Sequence, residues 1–131
     1  MKPAVLTIGV LVVDPNRVTR EALAAFLRQL GYEVRVALAA SDARAVLVGW
    51  EPGVAVINLG ESNSDGETVA KALAIADHPP IMIGILRAES ASSVPVSRFV
   101  LFDDLFTSAA SPEAVAKSIA HQIAIKTVHL G

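Results

Sequence analysis

At 131 residues the chain is expected to form one domain, burying roughly two thirds of the surface its unfolded form exposes. It is 53% hydrophobic and 18% charged, and 11 basic against 13 acidic side chains leave a net charge of −2, which offers no basic footprint for nucleic acid. Cysteine is absent and no apolar run is long enough to cross a bilayer, so disulfides, thiolate chemistry and a membrane span are excluded and a cytoplasmic location is expected.

The opening stretch "MKPAVLTIGVLVVDPN" has an apolar run but no small-residue cleavage site, and Asp14-Pro15 cuts it short. It therefore reads as a buried strand, not a signal peptide. Within it Ile8–Val13 is continuous and β-branched, the pattern of a strand covered on both faces. Asp14 then offers a helix N-cap and Pro15 a first helical position. Leu23, Phe26, Leu27 and Leu30 recur at i, i+3, i+4 and i+7 and predict one buried helical face, with Gly31 as the stop. "YEVRVA" alternates and predicts a less completely covered strand. Ser41 is expected to cap a second helix with Ala43, Val46, Leu47 and Trp50 on one face.

Pro52 and Gly53 break the chain before the strand "VAVINL", and "GESNSDG" reads as a polar loop. Val69, Ala72, Leu73 and Ala76 predict a third helical face, closed by His78-Pro79-Pro80, and "IMIGIL" is a further buried strand. The serine-rich "AESASSVPVSR" makes a poor helix. Either "RFVLF" or "DLFT" is the last strand. Ser111, Pro112 and Glu113 start a last helix with Val115, Ile119 and Ile123 on one face, and "KTVHLG" reads as a tail. The domain is thus expected over residues 1–126, with 127–131 as a C-terminal tail at a natural place for a linker to an output domain.

Strands alternating with helices imply right-handed crossovers and a parallel sheet covered on both sides. Five strands predict an α/β, flavodoxin-like, doubly wound sheet of order 2-1-3-4-5. Its functional crevice lies at the carboxyl ends of the first and third strands, where Asp14 and Asn58 face each other.

On these residues the chain resembles a CheY-like response-regulator receiver domain over nearly all its length. "NRVTREALAAFLRQLGYEV" is similar to the family's first helix and second strand, and "SPEAVAKSIA" to its last helix. "PGVAVINLGESNSDG" is similar to its third strand and following loop, with Gly66 at the family's glycine eight residues past the acceptor. The resemblance implies a phosphorylation pocket made of an acidic pair, an acceptor aspartate, a threonine or serine, and a lysine. Here the acidic pair is Asp14-Pro15, and the acceptor position holds Asn58, whose amide is a very poor nucleophile. The hydroxyl position falls on Ile85 or Leu86, and the lysine position near Ser108. No lysine occurs between Lys71 and Lys117. Four of the five parts are missing, so the resemblance is to a degenerate pseudo-receiver with no catalytic residues and no cofactor.

Plainer roles fit the same residues. Asp14 fits an N-cap, Asn58 an amide bonded to loop backbone, and Gly66 a tight turn. Glu61, Asp65, Asp103 and Asp104 are solvated loop acids or, failing that, substitute acceptors. Asp14, alone or with Glu61, is a weak candidate for a metal, since Mg²⁺ asks for more carboxylate or substrate oxygens. His78, His121 and His129 lack metal-ligand spacing.

The expected function is a phosphorylation-independent signalling module in a two-component setting, working through a protein partner or a homodimer, with transcription regulation as one output. The expected surface is Phe99–Phe106 with the last helix, since three of the four phenylalanines lie there. The rival is a small-ligand sensor or minor enzyme with polar groups converging near Asp14, Asn58 and Ser90.

Overall fold

The structure, a computed structural model, describes residues 7–60, 65–87, 101–107 and 110–130, the last three by backbone alone. In chain order the elements are β1 (Gly9–Val13), α1 (Arg17–Gln29), β2 (Glu33–Ala37), α2 (Ala40–Val46), β3 (Val54–Gly60), α3 (Asp65–Ala74), β4 (Ile81–Leu86), β5 (Asp104–Thr107) and α4 (Pro112–Leu130). The five strands form one parallel sheet of order β2-β1-β3-β4-β5, the predicted doubly wound topology.

Alternation along the inner strands divides the core into two layers. Val10, Val12, Val54, Val56 and Ile83 point to the side of α1 and α4, where they meet Leu23, Leu27 and Ile119. Leu11, Val13, Ala55, Ile57 and Met82 point the other way and meet Ala43, Val69 and Leu73 of α2 and α3. Both faces of β1 and β3 are therefore covered, which is why those strands are continuously apolar.

Local details correct several expectations. The N-cap of α1 is Asn16, whose side chain accepts from the backbone N–H of Val18 and Thr19 at 2.9 and 3.1 Å. Leu30 is the C-cap of α1 and is exposed, while Gly31 follows it at φ 100°, a left-handed conformation that suits glycine. Ser41 lies inside α2, whose N-cap is Ala39 and which has no side-chain cap. Trp50 lies beyond α2, beneath the Arg35 guanidinium, 4.5 Å from the ring centroid.

The buried face of α3 is Gly66, Val69, Ala70 and Leu73, whereas Ala72 and Ala76 are exposed. Asp65 and Gly66, expected in a loop, open that helix. The last strand is "DLFT"; "RFVLF" falls partly outside the described residues, and its Leu101 and Phe102 precede β5. Helix α4 continues through residues 127–130, where a tail was expected. No described helix is long and apolar enough to cross a membrane.

Candidate functional site

The strand order reverses between β1 and β3, and a crevice opens there at the carboxyl ends of the strands. Val13 pairs with Ile57, so the next residues, Asp14 and Asn58, stand on adjacent strand ends. Both line a cavity of about 150 Å3, together with Thr19 and the apolar side chains of Leu23, Ile85 and Val115. The predicted crevice residues Asp14, Asn58 and Ile85 are thus brought together. Pro15 points to solvent, and Ser108 and Ser90 lie outside the described residues.

Asp14 is 5% exposed, and its backbone N–H donates to Ala37 of β2 at 3.0 Å. One carboxylate oxygen accepts from the Asn16 N–H at 2.9 Å, and the other from the Thr19 hydroxyl at 2.5 Å. Asp14 therefore sits two residues before the cap and anchors the turn from β1 into α1, a tighter role than the N-cap expected of it. Asn16 competes for that cap and wins because its Oδ1 reaches two first-turn donors.

Two polar residues of this corner escape a periodicity argument. Thr19 is the partner of Asp14, five residues on. Arg20 is 6% exposed, and its guanidinium donates to the Asp14 carbonyl at 3.1 Å. Its Nε lies 3.6 Å from the Glu21 carboxylate, too far for a hydrogen bond. The available signal was the run Asp14-Pro15-Asn16-x-x-Thr19, two Asx residues around a proline followed by a hydroxyl at the third helical position.

The Thr19 contact gives a direct expectation. Thr19→Val keeps the shape of the side chain and leaves one oxygen of a buried carboxylate without its donor. The loss should be about 1–2 kcal/mol, the lower part of the range for hydrogen bonds to charged groups, because Thr19 itself is exposed. Urea unfolding at unchanged slope measures it. Thr19→Ser should recover most of the loss, and a Thr19→Val protein as stable as the parent would remove this bond from the account.

Asn58 pairs with Ile85 across β3 and β4, just before the register shifts between Asn58 and Gly60. Its side-chain oxygen turns back to accept from the Gly60 N–H at 2.9 Å, and Gly60 takes φ 51° to close that loop. This is the local backbone bond that a plain reading of Asn58 anticipates. Gly66 abuts the same strand end: a Cβ built there would lie 2.3 Å from the Asn58 carbonyl oxygen. The glycine is thus required by helix-on-strand contact rather than by a tight turn.

The acidic residues weighed as substitute acceptors lie elsewhere or outside the described residues, as Glu61 does. Asp103 and Asp104 sit at the amino end of β5, the opposite edge of a parallel sheet from the crevice. They are also engaged rather than merely solvated. Asp103 accepts from the Met82 N–H at 2.8 Å and pairs with Lys126 at 3.1 Å, and Asp104 accepts from the Ser118 hydroxyl at 2.5 Å. Asp65 is exposed on the first turn of α3.

His78 meets Glu51 at the surface, 3.5 Å away, and the His129 side chain is not described. Among the described residues no three His, Cys, Asp or Glu side chains group as a metal site. Of the expected partner surface, Phe99 and Val100 lie outside the described residues. Leu101, Phe102, Leu105 and Phe106 are half-buried, with Phe102 and Leu105 against Gly84.

No protein-family model matches the sequence, and no curated protein does. Among solved structures the chain is similar to a CheY-like response regulator receiver domain protein from Methanospirillum hungatei, at TM-score 0.78 and 14% identity over 95% of this chain and 99% of that one. It is similar to the chemotaxis response regulator CheY4 of Vibrio cholerae, at 0.75 and 18% over 88% and 98%. It is also similar to the response regulator DrrB of Thermotoga maritima, an OmpR/PhoB homolog, at 0.76 and 17% over 92% of this chain and 54% of that longer one. At such identities the likeness is one of architecture, and the chain has the fold of CheY-like response-regulator receiver domains.

Proposed function

We propose that the chain is a receiver-like signalling module that works without phosphorylation, through contact with a protein partner or a second copy of itself, and that it is not an enzyme. The observation that carries this reading is Asn58. By the sequence resemblance it stands at a receiver's acceptor position, and at the strand end it presents a neutral amide folded onto Gly60. Phosphoryl transfer to a carboxylate needs an attacking oxygen and positive charge to balance about −1.5 to −2 added charges. Among the described residues, Asp14 is the only charged side chain lining the cavity.

The fold family implies a divalent cation at this place, and the residues do not fit one. Mg²⁺ asks for octahedral oxygen donors and dehydrates reluctantly. Among the described residues the donor set is one carboxylate with each oxygen already hydrogen-bonded, followed by Pro15, whose ring carries no oxygen. Ile85 cannot supply the hydroxyl that draws a receiver's switch inward, so a single dominant conformation is expected.

The partner surface proposed is β5 with α4. β5 is an edge strand, and α4, joined to its amino end through Ser118 and Lys126, exposes Ile125. Sequence resemblance, edge position and the clustered phenylalanines support it together. Coupling to transcription would then come through an output domain.

The test is incubation with acetyl phosphate and Mg²⁺ followed by intact mass. Parent and Asn58→Asp should both stay at their unmodified masses, since restoring the acceptor alone leaves hydroxyl, cation and second acid missing. A gain of one phosphoryl mass by the parent chain would overturn the reading. A gain by Asn58→Asp alone would place the whole defect at that one residue.

A further inference from the structure

The cavity wall is chemically one-sided. Leu23, Ile85 and Val115 make an apolar lining, and Asp14, Thr19 and Asn58 gather the polar atoms. Asp14 is in no ion pair among the described residues, and its two hydrogen bonds come from neutral donors. Each carboxylate oxygen keeps a lone pair for a further donor. Arg20, a cation on this corner, donates from its guanidinium to the Asp14 backbone carbonyl rather than to the carboxylate.

A buried carboxylate with no direct ion-pair partner among the described residues favours a cationic ligand and repels phosphate and carboxylates. Among the described residues the apolar wall offers no further side-chain donors for a metal ion, and it suits a hydrocarbon body. A volume of about 150 Å3 is one that an apolar cavity fills with a molecule the size of benzene.

We propose that the crevice binds a small primary ammonium ion carrying a compact apolar group. Its N–H groups would donate to the Asp14 carboxylate and to the second lone pair of Asn58 Oδ1, and its body would pack on Leu23, Ile85 and Val115. Binding would add a salt-bridging contact between the β1–α1 corner, the end of β3 and α4, and so couple ligand to the proposed partner surface. The inference rests on the reading that no phosphoryl group uses this crevice.

Benzylammonium is the probe, with benzyl alcohol as its neutral counterpart and benzoate as the opposite charge, each followed by NMR amide shifts on the full chain. The expected result is saturable binding of benzylammonium, with shifts at Asp14, Asn58 and Ile85. Benzyl alcohol should bind about tenfold more weakly, the ratio carried by one charge-assisted hydrogen bond. Benzoate should not bind. Asp14→Asn should erase the preference for the cation, so that benzylammonium and benzyl alcohol bind alike. Ile85→Phe, which fills the cavity and keeps the carboxylate, should block both ligands and serves should Asp14→Asn fail to fold.

Equal binding of cation and alcohol, cation binding that survives Ile85→Phe, or no saturable shift would each overturn the proposal. The two readings fail separately. Phosphoryl gain in the mass experiment strikes the signalling reading, whereas absence of amine binding strikes this one alone.

Discussion

Gly66→Ala should destabilise the fold by about 3 kcal/mol, although alanine is the better helix former by about 1 kcal/mol. The sign is decided by distance. The added methyl would lie 2.3 Å from the Asn58 carbonyl oxygen and 2.9 Å from Ile57 Cγ2. The first neighbour is backbone in a paired strand, so it cannot turn aside as a side chain would. Relief requires the first turn of α3 to lift from the end of β3. That motion uncovers Val69 and Ala70, which are buried against the sheet.

The shift also reaches the crevice, because the carbonyl that is struck belongs to Asn58. Urea unfolding should show a lower midpoint at unchanged slope, and amide shifts should change at Asn58 and Gly60. Gly53→Ala is a sound control: its Cβ would meet chiefly the Ile8 side chain, at 3.3 Å. A Gly66→Ala protein as stable as the parent would mean that α3 does not approach β3 this closely.

The sheet was legible because its signal is crude. Runs such as "VLVV" and "VAVI" are apolar at every position, and only a strand buried on both faces tolerates that. Two such runs with helices between them fix the winding and place Asp14 beside Asn58. The finer errors arise where two short-range signals compete. Asp14, Pro15 and Asn16 all favour a helix start, and sequence alone does not reveal that Asp14 is committed to Thr19 while Asn16 takes the first-turn donors. In α3 the stripe of Val69, Ala72, Leu73 and Ala76 is half right: Val69 and Leu73 are buried, but the face runs on to Gly66 and Ala70, since glycine at 66 reads as loop in sequence and is the closest contact of the helix on the sheet. Arg20 was invisible for a different reason. A buried guanidinium is justified by one backbone carbonyl, and no pattern of hydrophobic residues announces a carbonyl.

The same contrast governs the last helix. Its outer edge is fastened to the amino end of β5 by polar contacts, the Ser118–Asp104 hydrogen bond and the Lys126–Asp103 pair. Exposed ion pairs such as the second contribute about 0–1 kcal/mol. Its inner edge rests on Val115, Ala116 and Ile119, and of these Ile119 is the largest and fully buried. It enters the core layer formed by Leu23, Leu27, Val10 and Ile83. Truncation of a buried isoleucine in such a setting costs about 2–5 kcal/mol, through lost transfer energy and the cavity left behind. Ile119→Ala should fall near 3–4 kcal/mol, since the walls are sheet and helix and collapse poorly.

Ile125→Ala removes the same side chain from a partly exposed position of the same helix, and should stay within about 0.5 kcal/mol. The pair separates core docking from helix propensity, because both substitutions favour the helix equally. Hydrogen exchange adds a local readout: in Ile119→Ala, amides of α4 should lose protection before those of β1 and β3. If α4 carries the partner surface, Ile125→Ala should weaken partner contact without loss of stability, while Ile119→Ala should weaken it only as far as α4 undocks. Equal destabilisation by the two substitutions would show that Ile119 does not hold α4 to the sheet, and the surface built on that helix would go with it.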